Sequence, residues 1–119
     1  MWKKIWFNYD PGVALWIYPY PQKNSHDIRL SHFVGVQLNG RNQILGVEVL
    51  YPEEQLPLLT GRKVSKAFLH NLVECRLKIE SKGLSIVHFA LYSKGYKKPV
   101  IGTLTIPESL YSRKVEAVA

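Results

Sequence analysis

The stretch Ile28-Arg29-Leu30-Ser31-His32-Phe33-Val34-Gly35-Val36-Gln37-Leu38-Asn39-Gly40 decides the fold class of this chain. Ile28, Leu30, His32, Val34, Val36 and Leu38 fall on one side of a period-two pattern, and Arg29, Ser31, Phe33, Gly35 and Gln37 on the other. Such alternation predicts a half-buried strand over 28–38, because successive side chains of an extended chain point to opposite faces. Asn39-Gly40 tolerates the positive φ values of a tight turn, so the chain is expected to return antiparallel over 44–51. Pro52, which has no N–H to give to a ladder, closes that strand.

Upstream, residues 2–8 and 13–18 read as two strands joined by the turn Tyr9-Asp10-Pro11-Gly12, in which Pro pre-sets φ. Pro19 and Pro21 end the second, and residues 22–27 read as a polar loop. Downstream, residues 53–59 read as a helical turn with two acids near its positive dipole end, kept short by Pro57. Residues 63–75 read as the one main helix, with Val64, Ala67, Phe68, Leu72 and Cys75 on a single stripe. Strands follow over 76–80, 84–92 and 100–106, separated by Ser81-Lys82-Gly83 and by a basic turn over 93–98. The tail from Pro107 reads as a short helix or a fraying end.

The expected fold is therefore α+β: antiparallel β-meanders of about seven strands with one main α-helix packed on the sheet. Residues 1–119 form a single domain, with a four-stranded neutral half over 1–52, a helical connection over 53–75 and a basic β-meander half over 76–119. The pattern leaves open whether the halves share one sheet or pack as two.

Charge divides the chain in the same place. Residues 1–60 carry five Lys/Arg against five acids, while residues 61–119 carry eleven against four, which is the whole formal +7. Clustered cations attract polyanions, so the second half is where an acidic partner is expected. Lys94-Gly95-Tyr96-Lys97-Lys98 puts three ammonium groups and a ring at a hairpin tip; Arg76 and Lys78 share a face of the neighbouring strand; Arg62 and Lys63 stand at the helix start. Phosphate contacts from cations, with a tyrosine stacking on a base, are how sequence-tolerant nucleic-acid binding is built. The competing reading is a solvated surface that maintains solubility.

Catalytic and metal chemistry find little support. Cys75 is the only cysteine, so no internal disulfide or thiolate-rich metal site is expected, and its place at the predicted helix end would raise its pKa. His26, His32, His70 and His88 are dispersed, with His32 and His88 expected as hydrogen-bonded core residues. Asp10 and Glu48 read as a turn cap and a strand-face acid rather than a catalytic pair. Tyr111-Ser112-Arg113-Lys114 offers a nucleophilic tyrosine, but the chain has only His88-Phe89-Ala90 where that chemistry needs two histidines. No cofactor is expected. No apolar run approaches the ~18 residues of a membrane helix, so the expectation is a soluble, cytoplasmic protein with no membrane partner.

At Tyr9-Asp10-Pro11, Ala14-Leu15-Trp16-Ile17-Tyr18, Gly35-Val36 and Gly46-Val47-Glu48-Val49-Leu50, the chain resembles domain-of-unknown-function family 2283 over about residues 7–52. It departs from that pattern at Gly12, where an acid is usual, and at the short turn Asn39-Gly40-Arg41-Asn42. The resemblance implies a three-stranded antiparallel unit, no catalytic residues, and a binding role such as partnering a small toxin. Two functional expectations follow. One is a non-enzymatic protein whose basic second half contacts nucleic acid or another acidic partner. The other is a protein–protein module, antitoxin-like or homodimeric, that uses the aromatic first half around Trp2, Trp6 and Trp16.

Overall fold

The first extended run of the chain is an edge of two different sheets in the computed structural model, which describes residues 1–18, 26–41, 43–81 and 84–107. Strand β1 (Lys3–Ile5) lies beside β7 (Leu72–Ser81), with Lys4 opposite Arg76. One residue later, β2 (Phe7–Asp10) lies beside β3 (Ala14–Ile17), with Phe7 opposite Ile17. Trp6 is the crossing point, and its carbonyl still accepts from the Tyr18 amide. A single strand predicted over 2–8 is thus divided between two ladders.

The first sheet has the order β1-β7-β8-β9, where β8 is Leu84–Ser93 and β9 is Val100–Pro107. The second has the order β2-β3-β6-β5-β4, where β4 is His26–Arg29, β5 is Val34–Leu38 and β6 is Ile44–Leu50. Every pairing among the described residues is antiparallel. The fold is α+β as expected, but the described residues hold nine strands in two sheets and two short helices, rather than about seven strands and one main helix.

Three local causes account for the difference. The alternation over 28–38 is a hairpin, not one strand. Ser31 Oγ accepts from the Phe33 and Val34 amides at 3.2 and 3.1 Å, and this side-chain turn replaces the ladder between Arg29 and Val34. Because Ile28 pairs with Val36, both still point to the core, so the face assignment survives the turn. Second, the helix predicted over 63–75 is only α2, Lys66–His70. Ser65 caps its start by accepting from the Phe68 amide, and Asn71 ends it by donating both its amides to Ala67 O. Leu72 onward then joins a central strand, paired on one side with β1 and on the other with β8, and two ladders outweigh a helical stripe. Third, Pro57 does not stop α1, which runs Pro52–Thr60 behind a Tyr51 cap at φ 48°. Ser81 of the turn predicted over Ser81-Lys82-Gly83 ends β7; Lys82 and Gly83, and the tail beyond Pro107 with Tyr111 and Lys114, lie outside the described residues.

One core serves both sheets. Leu15, Ile17, Val36 and Val49 from the second sheet meet Leu77, Phe89, Leu91 and Ile106 from the first, with Leu56 of α1 and Phe68 of α2 between them. The Phe89 ring lies directly over Gly102, its cross-strand partner, so that a methyl group at 102 would overlap it. The core side of the first sheet leaves Lys4, Glu74, Arg76, Lys78, His88 and Tyr92 on its opposite, outer face.

A candidate anion-binding end and a carboxylate-lined cleft

The basic turn between β8 and β9 is pinned to α2. Gly95 takes φ +87°, which lets the chain reverse. The Lys94 amide donates to Asn71 O at 2.9 Å, and Ser93 Oγ donates to Phe68 O at 2.7 Å. Tyr96 packs edge-to-face on Phe68, ring centroids 5.0 Å apart, and its hydroxyl lies 3.4 Å from Ser65 Oγ. That contact joins two distant parts of the sequence. Arg62 and Lys63 sit on the connection immediately before Ser65, and Lys97 and Lys98 immediately follow Tyr96. All of these cations, and Lys94, are exposed. The ion pairs among the described residues involve Lys4, Arg29, Arg76, Lys78 and His88, and none of the five cations around Tyr96.

Arg76 and Lys78 have a different setting. Arg76 Nε donates to Glu74, its guanidinium carbon lies 4.9 Å from the centre of the Tyr92 ring, and Lys4 Nζ is 3.7 Å from the same carboxylate. Lys78 is 3.7 Å from Glu80, which also bonds His88 at 3.0 Å. These two sequence-predicted site residues therefore each have a carboxylate partner, whereas Arg62, Lys63, Lys94, Lys97 and Lys98 have none among the described residues.

The remaining candidates resolve into structural roles. Glu48 accepts from Trp16 Nε1 at 2.8 Å and from Arg29 at 2.9 Å, which ties three strands together and leaves no pairing with Asp10. His32, expected in the core, is exposed in the β4–β5 turn, while His88 is half-buried on the outer face between Glu80 and Thr103. No group of three His, Cys, Asp or Glu that could hold a metal occurs among the described residues. Cys75 is buried in mid-strand rather than at a helix end; burial, reinforced by Glu74, pushes its thiol pKa up, so it is an unreactive core residue. No described helix is long and apolar enough to cross a membrane.

Sequence reasoning missed a cleft of about 600 Å3 between the β2–β3 turn and the two helices, lined by Gly12, Tyr51, Glu53, Glu54, Lys66 and His70. Glu53 Oε1 accepts from the Tyr9 hydroxyl at 2.5 Å and from the Gly12 amide at 2.9 Å, and His70 stacks edge-on against Tyr9. Forty-four residues separate Tyr9 from Glu53, so no local pattern announces the pair. Burial pushes the Glu53 pKa up, but the Tyr9 hydroxyl, the Gly12 amide and the Lys66 charge outweigh it and hold the carboxyl below its ordinary 4.5. Burial and the Glu53 carboxylate together raise the Tyr9 phenol above its ordinary 10.0.

The signs set a pH window. A depressed carboxyl stabilises the fold above its unfolded value and loses that contribution as pH falls through the folded one; a raised phenol contributes below 10.0 and loses it as pH rises further. Glu53→Gln is expected to cost about 1 kcal/mol near neutrality, a charge-assisted bond discounted for partial exposure. Urea unfolding across pH should show the wild-type advantage disappear in acid; an advantage constant down to strong acid would refute the assignment.

Comparison of the chain with protein-family models, with curated proteins and with solved structures finds no match, so its family is not shown.

Proposed function

We propose that this protein is a non-enzymatic binding protein of the cytoplasm whose hairpin end contacts the phosphates of nucleic acid. The observation that supports the reading is the contact of Tyr96 with Phe68 and Ser65, which brings the segment carrying Arg62 and Lys63 to the turn carrying Lys94, Lys97 and Lys98. Five cations with no carboxylate partner among the described residues form a strong local field, whereas the paired Arg76 and Lys78 add little to it. Tyr96 is 46 % exposed yet held against Phe68, so stacking a base on it costs little side-chain entropy.

Each phosphate contact with a single strand contributes roughly −0.7 to the slope of log K against log salt, so five contacts give about −3.5. Fluorescence anisotropy with a short single-stranded oligonucleotide should return a slope near that value, and Arg62→Ala with Lys63→Ala should reduce its magnitude by about 1.4. Binding that is absent at low salt, or insensitive to salt, would overturn the reading. Trp6, 45 % exposed where the chain crosses between sheets, favours the second reading, a protein–protein module built on the aromatic first half.

A further inference from the structure

We propose that the outer edge of β9 is a pairing edge for a second copy of this chain, so that two β9 strands align antiparallel about a twofold axis at Thr103 and the four-stranded sheets join into one of eight. The four strands that end the two sheets differ sharply. β1 has three residues and carries Lys3 and Lys4; β2 has four and ends on Asp10; β4 has four and carries Asp27 and Arg29. Short length and charge are how proteins keep sheet edges from pairing. β9 has eight residues, Val-Ile-Gly-Thr-Leu-Thr-Ile-Pro, with no charge and no proline before its last position. Its ladder with β8 runs from Leu91–Val100 to Leu84–Pro107 without a register shift, so no bulge twists the edge away. Among the described residues no strand lies on its other side, and the one helix packed against β9 is α1, whose Leu56 enters the core that Leu104 and Ile106 share.

The occupant is a second copy because the edge is complementary to itself. Pairing about Thr103 sets Ile101 of one copy opposite Thr105 of the other, twice, and these exposed β-branched side chains suit cross-strand contact. Electrostatics select the same geometry. Two chains of formal charge +7 repel, and β9 offers each an uncharged line of approach. Parallel pairing would stack Lys97 and Lys98 of both copies at the strand spacing of about 4.8 Å. Antiparallel pairing about Thr103 sends the two hairpin ends in opposite directions. Five residues of about 3.4 Å on each side of the axis place the two Lys98 positions roughly 34 Å apart, well beyond a Debye length of about 8 Å at physiological salt. This dimer differs from the one expected through Trp2 and Trp6 and does not depend on nucleic-acid binding.

Light scattering with size-exclusion chromatography over a concentration series tests the pairing in three chains. Wild type is expected to be a dimer at high concentration that dissociates on dilution. Ile101→Lys with Thr105→Lys sets Lys against Lys at both cross-pairs and should weaken the dimer about a hundredfold or more. Ile101→Lys with Thr105→Glu sets Lys against Glu and should restore it. Both positions are solvent-exposed, and circular dichroism of each monomer should match wild type. A wild-type monomer at every concentration, open-ended oligomers, a dimer that ignores the double lysine, or failure of the Lys–Glu rescue would each overturn the proposal.

Discussion

Reversing three charges at once, with Lys94→Glu, Lys97→Glu and Lys98→Glu, is expected to reduce oligonucleotide affinity by about a thousandfold at low salt. Counterion release is worth roughly 0.9 decade per single-strand phosphate contact near 50 mM salt, so loss of three contacts removes nearly three decades before any repulsion is counted. The fold should be unaffected, because the three side chains are exposed and join none of the ion pairs among the described residues. The difference from wild type should shrink as salt is raised, which distinguishes lost phosphate contacts from a lost shape. Replacement of Arg76 and Lys78 by Gln is the informative control: because Glu74 and Glu80, and not phosphates, engage their cationic groups, its effect should be much smaller. Equal losses per unit of charge removed in the two sets would mean that general surface charge, and not the hairpin end, attracts the ligand.

Phe89→Ala should destabilise the protein by about 3–5 kcal/mol, the range for removing a fully buried aromatic side chain. That is a large part of the ~5–15 kcal/mol that holds a typical domain together. The site has little room to collapse, since Phe89 lies in the central β8 and its ring fills the space that Gly102 leaves on β9. The same geometry predicts coupling. Gly102→Ala alone overpacks the ring and should cost about 1–3 kcal/mol, but in a Phe89→Leu background the added methyl enters space already vacated. Urea unfolding of the two single variants and the double should therefore show non-additivity of about 1 kcal/mol or more in the favourable direction. Strict additivity would mean that ring and glycine do not share a volume.

Most strands were legible in the sequence because their alternation is local. Ile28, Val34, Val36 and Leu38 reach the core as the pattern requires, even though Ser31 inserts a turn that hydrophobicity does not encode. What could not be read was competition between distant segments. Residues 63–75 form a good helical stripe, but Leu72–Ser81 is wanted by β1 and β8 together. Likewise, nothing around Trp6 marks the change of ladder, which is set by partners many residues away. At the candidate site, the cations were visible as composition. Their division into a free group near Tyr96 and a paired group near Glu74 depended on the contact of Tyr96 with Phe68 and Ser65. The Tyr9–Glu53 pair gave no signal, since neither residue type nor spacing distinguishes it.

The strand shared between sheets also imposes an order in time. Every pairing of the five-stranded sheet lies within residues 7–50, so that sheet can close once this segment has left the ribosome. β1, only one residue upstream of β2, has no ladder to join until Leu72–Ser81 has been made. β1 thus waits for its partner while the residues between are made, and Lys3 and Lys4 keep that waiting edge soluble meanwhile.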